Sequence, residues 1–242
     1  MPYLFSVCTL FTNAGEYRQM KTSFLQRGFD DENTEFLEID NTQGNSFDAY
    51  SGIREFIGKA AGRYIVVCHQ DVELVDDGFE DLQARLLELD AADPQWAVAG
   101  NAGMNGLRGW AVRITDPLLP NVRVGNLPAQ VDSLDENFLV IKRSSLVAPS
   151  SDLRGFHFYG LDLCLQAWLA GHRAYVIDFH LEHKSGGEKS ESYYVCRGEI
   201  EQKYARLTSG RVIRTTCDFV FLGWLSHISF LRRPLASFIR LF

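Results

Sequence analysis

Arg63-Tyr64-Ile65-Val66-Val67-Cys68 is an apolar run that stops abruptly at His69-Gln70-Asp71-Val72-Glu73. A short continuous apolar run of this length is the signature of a strand buried on both faces, which a parallel sheet under helices requires. Open α/β sheets bind ligands beyond the carboxyl ends of their strands, so the acid that ends this strand marks the place to look for chemistry. Later in the chain, Phe158-Tyr159-Gly160-Leu161-Asp162-Leu163 puts an acid at the head of a second apolar, helix-periodic segment. A strand-like Ala174-Tyr175-Val176-Ile177-Asp178 then runs into His180-Leu181-Glu182-His183.

Elements alternate on either side of the opening stretch. Tyr3 to Phe11 reads as a first strand, a turn at Thr12-Asn13-Ala14-Gly15 leads into a polar helix over Glu16 to Arg27, and Phe36 to Ile39 is a short strand closing on Asp40-Asn41. Ser46 is the expected N-cap of a helix with apolar positions at Phe47, Tyr50, Ile53, Phe56, Ile57 and Ala60, and Gly62 its expected stop. A further amphipathic helix is expected over Asp76 to Asp90 and a strand over Trp96 to Ala99. The expectation is therefore an α/β fold, a mostly parallel sheet flanked by helices with right-handed crossovers. Arg108 to Asn137, which contains Pro117, Pro120 and Pro128, reads as irregular; Phe138 to Ile141 reads as a buried strand and Leu161 to Ala170 as a helix. Residues 1–214 are expected to form one domain, with a first half to about 105 and a second from about 106, followed by a C-terminal apolar and basic tail over 215–242.

Composition narrows the function. The chain has 242 residues, 46% hydrophobic and 23% charged, enough for a substantial core. A net charge of −7, with no basic patch in the first 200 residues, argues against nucleic acid as the partner. The five cysteines show no Cys-x-x-Cys spacing and mostly lie inside apolar runs, which points to packing in a reducing, cytoplasmic setting. No basic leader and no apolar stretch of spanning length is visible, so neither secretion nor membrane insertion is expected. The tail is the exception: residues 218–242 carry Arg232, Arg233 and Arg240 among large apolar groups, with no acid after Asp218. That composition suits either peripheral contact with the inner face of a membrane or a homodimer interface.

The strand leading into His69-Gln70-Asp71, then Gly160-Leu161-Asp162-Leu163, then His183 before Gly186-Gly187, resembles the GT-A fold of the family 2-type inverting glycosyltransferases, over roughly residues 1 to 190. The resemblance implies sugar transfer from a nucleotide-diphosphate donor, UDP or dTDP type, to a hydroxyl of a glycan or lipid-linked glycan, with inversion, in polysaccharide biosynthesis. It implies a divalent metal, Mn²⁺ or Mg²⁺, at Asp71 and His183, and Asp162 as the catalytic base. The chain departs from the family pattern in having His69 where the first acid of the Asp-x-Asp loop stands and Leu161-Asp162 where Glu-Asp is usual. Nucleotide contacts are expected from Thr9, Phe11 and Asn13 after the first strand, Asp40 and Asn41 after the second, and His69, Gln70 and Asp71 after the third.

The chemistry calls for these residue types. A diphosphate leaving group gains negative charge as the glycosidic bond breaks, and a cation held by a carboxylate offsets it. The acceptor hydroxyl must lose a proton, which calls for a carboxylate on the acceptor side. Each position also has a plainer role: strand-end acids cap turns, first-turn acids complement helix dipoles, and His180 competes with His183. Glu73 is a candidate partner for Asp71, while Asp132, Asp135 and Glu136 form an acidic cluster that either binds acceptor or is solvated. Two further functions stay open: a nucleotidyltransferase, disfavoured because Thr12 to Glu16 is no Gly-rich phosphate loop, and a non-catalytic nucleotide or carbohydrate binder, favoured if Asp162 is buried away from the cleft.

Overall fold

The computed structural model describes residues 3–107, 109–118, 120–186, 189–205, 210–223 and 225. The first part runs β1 (Phe5–Phe11), α1 (Ala14–Gln26), β2 (Thr34–Asp40), α2 (Ala49–Lys59), β3 (Tyr64–Cys68), β4 (Val72–Glu73) and α3 (Phe79–Ala92). There follow β5 (Trp96–Gly100), β6 (Ala102–Asn105), β7 (Gly109–Ile114), β8 (Val122–Val124), β9 (Ala129–Val131), β10 (Ser133–Leu134) and β11 (Phe138–Lys142). The last part contains α4 (Tyr159–Leu169), β12 (Arg173–Val176), β13 (Glu182–His183), α5 (Glu191–Tyr204), β14 (Arg211–Arg214) and β15 (Phe219–Leu222).

The central sheet has seven strands in the order β2-β1-β3-β11-β5-β12-β9. Strands β2, β1, β3, β5 and β12 run parallel; β11 lies antiparallel between β3 and β5, and β9 antiparallel on the β12 edge. This is the mostly parallel, helix-flanked α/β sheet that the alternation of elements predicts. The apolar run of β3 shows why: Ile65 and Val67 join the core under α2, α4 and α5, while Tyr64, Val66 and Cys68 join the core under α1 and α3. With both faces covered, no position on the strand can be polar. The two halves expected on either side of residue 105 share this sheet, since β11 is inserted beside β3.

Several boundaries differ from the sequence expectations. Asp48, not Ser46, is the N-cap of α2: its side chain accepts the Ser51 amide at 2.7 Å and the Ser51 hydroxyl returns the bond. The helix ends at Lys59, and Gly62 has a different task, because a Cβ there would stand 2.6 Å from backbone atoms of Phe5 and Ser6. The stretch read as irregular supplies three strands, β7, β8 and β10, of a four-stranded antiparallel sheet, β10-β6-β7-β8, whose remaining strand, β6, lies just before it. The tail boundary at 214/215 falls inside the β14–β15 hairpin. Val220 and Leu222 are fully buried, so residues up to 222 belong to the folded body. The rest of the tail, 226–242, lies outside the described residues. Among the described residues, no helix is long and apolar enough to cross a membrane.

Candidate active site

β1 connects to β2 on one side, whereas β3 lies on the other side of β1. The crevice between the ends of β1 and β3 is thus a topological switch point, where open α/β sheets bind ligands. A cavity of about 290 Å³ opens there, lined by Leu10 and Thr12 at the end of β1, Val67 to Asp71 at and just beyond the end of β3, Asn41, Ala49 and Ile53 from the β2–α2 side, and Phe156 and Tyr159. A second cavity of about 280 Å³ shares His69 and Phe156 with it and is lined by Asp116, Asp135, Glu136, Asn137, His157, His183 and Lys189, among others. The two form one cleft, divided at His69.

Asp71 and His183 meet although more than a hundred residues of chain separate them, because β13 pairs antiparallel with β4 and sets His183 opposite Val72. The Lys184 amide donates to the Asp71 carbonyl at 3.1 Å and the His183 amide to the Thr115 carbonyl at 2.8 Å, fixing the register. His183 Nε2 lies 3.4 Å and His69 Nδ1 4.0 Å from Asp71 Oδ1. One donor atom from each of the three residues lies within 4.8 Å of the others, a set that fits a divalent ion. Burial alone would raise the Asp71 carboxyl, but the His183 imidazole, Ser185 and His69 hold it well below the usual carboxylate range. Burial would likewise lower His183, yet the Asp71 carboxylate outweighs it and raises the imidazole. His69 is lowered, by burial and then by His183. His180 is elsewhere: it is buried and held by the Thr115 hydroxyl at 2.9 Å and Asp76 at 3.2 Å. Glu73 pairs with Lys184 instead of Asp71.

The structure does not bring Asp162 to the cleft. It is fully buried on the inner face of α4, where its carboxylate accepts the Ser150 amide (2.7 Å), the Ser150 hydroxyl (2.6 Å) and the Tyr204 hydroxyl (2.6 Å). Burial pushes its carboxyl up and these donors pull it back in part. This acid ties α4 to α5 and the 150 loop and lines neither cavity, the arrangement that favours the non-catalytic binder unless another acid in the cleft serves as base. The acid at the α4 N-terminus that does face the cleft comes from the chain before β11. Glu136, partly exposed in the second cavity, accepts the Gly160 amide at 3.3 Å. Burial, then the neighbouring Asp135 charge, raises its carboxyl to about 8 against the opposing amides of Gly160, Phe158 and Tyr159. Gly160 permits this contact, since a Cβ there would stand 2.6 Å from the Leu134 carbonyl and 3.2 Å from Glu136 Cγ. Phe158 enters the helix with φ of 65°, a conformation non-glycine residues seldom adopt. Asp135 accepts Asn137 and the Thr216 hydroxyl, and Asp132 pairs with Arg211.

The expected nucleotide contacts divide by strand parity. Thr9 is buried against Cys68 and Phe11 is stacked on Tyr17 at 4.5 Å, so both point into the core, while Leu10 and Thr12 line the cavity. Asn13 caps α1 through the Gly15 and Glu16 amides. Gln70 lines the cavity, but its Oε1 accepts the Thr12 and Asn13 amides at 2.7 and 3.0 Å. Asn41, buried in the wall, organises the loop at Ser46 and Phe47, and exposed Asp40 caps the Thr42 amide at 2.8 Å.

No family model matches the chain. A Fuscovulum blasticum protein named "ATP synthase subunits region ORF 6" is 42% identical over 226 residues, covering 91% of each chain. Among solved structures, S. aureus TarS 1-349 in complex with UDP-GlcNAc superposes with a TM-score of 0.56 at 11% identity over 84% of this chain. The mannosyltransferase PcManGT from Pyrobaculum calidifontis, in complex with GDP-Man and Mn²⁺, does so with 0.50 at 12% identity over 84%. This chain spans 66% and 62% of those chains, so it matches about two thirds of their length or less. These likenesses show a GT-A-like fold. This chain, with its GT-A-like fold, belongs to the family of the F. blasticum ORF 6 protein.

Proposed function

We propose that the protein transfers a glycosyl group, with inversion, from a nucleoside-diphosphate sugar to a hydroxyl acceptor. The observation that carries this reading is the His69–Asp71–His183 set at the switch point of the sheet, between one cavity of about 290 Å³ and a second containing an acid raised to about 8. The complexes of the similar folds with UDP-GlcNAc and with GDP-Man and Mn²⁺ support it.

In this reading the nucleotide occupies the first cavity, between Leu10 and Thr12 on one wall and His69 to Asp71 on the other. His69, Asp71 and His183 hold a divalent ion, which when bound offsets charge on the diphosphate leaving group. Glu136 is the general base, receiving the acceptor proton in the second cavity. A base titrating near neutrality combines availability of the ionised form with driving force, and burial beside Asp135 supplies that tuning. UDP and dTDP sugars are the proposed donors, in the cytoplasm. A lipid-linked glycan is the proposed acceptor class, supported by the basic, apolar composition of 218–242. Co-sedimentation with anionic vesicles, lost in a chain ending at Gly223, tests the last point; a full chain that stays in the supernatant refutes it.

A nucleotidyltransferase is a poorer fit, because the turn after β1 spends its amides on Gln70 and Asn13 and leaves no open phosphate cradle. The decisive pair of variants is Glu136→Gln and Asp162→Asn. The reading requires turnover to be lost in the first with donor affinity retained, and kept in the second.

A further inference from the structure

We propose that Tyr159 sets the tautomer of His69, making His69 Nδ1 a standing ligand, and that the centre therefore selects a nitrogen-preferring first-row ion such as Co²⁺ or Zn²⁺ over Mg²⁺. The inference rests on the reading of this cleft as a metal-assisted donor site. The Tyr159 hydroxyl donates to the Glu136 carbonyl oxygen at 3.0 Å, and that oxygen can only accept. The same hydroxyl oxygen lies 2.8 Å from His69 Nε2. With its single hydrogen committed to the carbonyl, Tyr159 can only accept from the imidazole. His69 therefore carries its proton on Nε2 and a lone pair on Nδ1.

That lone pair faces the cleft. In that tautomer His69 Nδ1, 4.0 Å from Asp71 Oδ1, offers the carboxylate a lone pair and no proton, whereas His183 Nε2, 3.4 Å from the same oxygen, is the proton donor that holds the carboxyl low. A cation between the His69 lone pair and the carboxylate relieves their repulsion. Tyr159 is well placed to impose the geometry: it is 4% exposed, begins α4, and packs edge-on against Tyr50 with ring centroids 6.4 Å apart. A group that holds the far nitrogen of a ligating histidine fixes both the tautomer and the ring plane. Two imidazoles and one carboxylate suit the later first-row divalent ions, whereas Mg²⁺ prefers oxygen ligands and sheds water reluctantly. In this chain, His69 in place of an acid therefore changes the metal the site prefers.

The test titrates chelator-stripped full-length protein with Co²⁺ and with Mg²⁺ by calorimetry, and follows Co²⁺ by its visible absorption, with no nucleotide present. Co²⁺ is expected to bind about a hundredfold more tightly than Mg²⁺ or better. Tyr159→Phe should weaken Co²⁺ by about 10- to 100-fold with an unchanged far-UV spectrum. His69→Asp, which does not depend on the tyrosine substitution folding, should reduce the Co²⁺-to-Mg²⁺ ratio about tenfold or more. Equal affinity for the two ions in the wild type, or an unchanged ratio in His69→Asp, overturns the inference. If that happens while nucleotide sugars still bind with Mg²⁺, the glycosyltransferase reading stands without it. If Co²⁺ selectivity holds and no nucleotide sugar binds with any ion, the ligand assignment stands and the glycosyltransferase reading falls.

Discussion

Replacing Asp162 by Asn should damage the fold and spare the chemistry. The carboxylate accepts two hydroxyls on Oδ1, from Ser150 and Tyr204, each at 2.6 Å, and the Ser150 amide on Oδ2 at 2.7 Å. An asparagine can keep the two hydroxyl bonds through its single oxygen, but its NH₂ group then meets the Ser150 N–H, donor against donor. Hydrogen bonds to a charged acceptor contribute about 1.5–3 kcal/mol each, and an unsatisfied buried donor costs a similar amount. Part of that loss is returned because the buried carboxyl is already raised, so a neutral group is cheaper to bury. We expect a net loss of about 2 kcal/mol, which for a chain of this size lowers Tm by about 4–8 °C. Differential scanning calorimetry at neutral pH measures the shift, and turnover well below the transition should stay within a few-fold of wild type. An Asn variant with unchanged Tm and turnover reduced a hundredfold or more would refute the structural role and return Asp162 to the catalytic position that the family resemblance implies.

Glu136→Gln should lower kcat by about 10² to 10⁴ while leaving donor affinity within a few-fold, because a base acts in the chemical step. Its pH signature follows from its raised carboxyl. The folded value of about 8 lies above the ordinary 4.5, so the stability associated with this group is full below about 4.5 and lost as pH rises through about 8. Urea unfolding at acid and mildly alkaline pH should therefore show a smaller decline for the Gln variant than for wild type, and parallel declines would contradict the assignment. Asp71→Ala should weaken nucleotide-sugar binding by tenfold or more with Mn²⁺ present and by little in EDTA. Equal losses in the two titrations would reduce Asp71 to a direct hydrogen-bonding residue.

The sheet was legible because its strongest signal is local: Tyr64 to Cys68 has to be apolar throughout when α2 and α4 cover one face and α1 and α3 the other. The end of that strand pointed to the cleft for the same reason. Finer placement failed where the deciding fact was not local. At the end of β1 the wall residues are Leu10 and Thr12 rather than Thr9 and Phe11, a one-residue difference that reverses every side chain and that only the packing of Phe11 on Tyr17 settles, while Asn13 already caps α1. In α4 the residues around Asp162 are apolar on every side, Leu161, Leu163, Cys164 and Leu165 all being buried, so periodicity could not say which way the acid points. In the sequence Glu136 stands out only as part of an acidic cluster, since its position over the α4 N-terminus depends on the turn between β10 and β11. The small antiparallel sheet leaves little trace in the sequence because its strands are short and separated by glycine and proline. Helix α5 did leave a signal, Tyr193, Cys196, Ile200 and Tyr204 at helical spacing and all buried, which was there to be read.

The central claim is that the crevice between β1 and β3 binds a nucleoside-diphosphate sugar through the ion held by Asp71. Its most direct test is calorimetric titration of the full chain with UDP-, dTDP- and GDP-sugars, each in Mn²⁺ and again in EDTA. The account predicts that at least one donor binds in Mn²⁺ with a dissociation constant of about 1 μM to 1 mM, and at least tenfold more weakly in EDTA. Folded protein that binds none of these donors in Mn²⁺, or binds one equally well in EDTA, would contradict it.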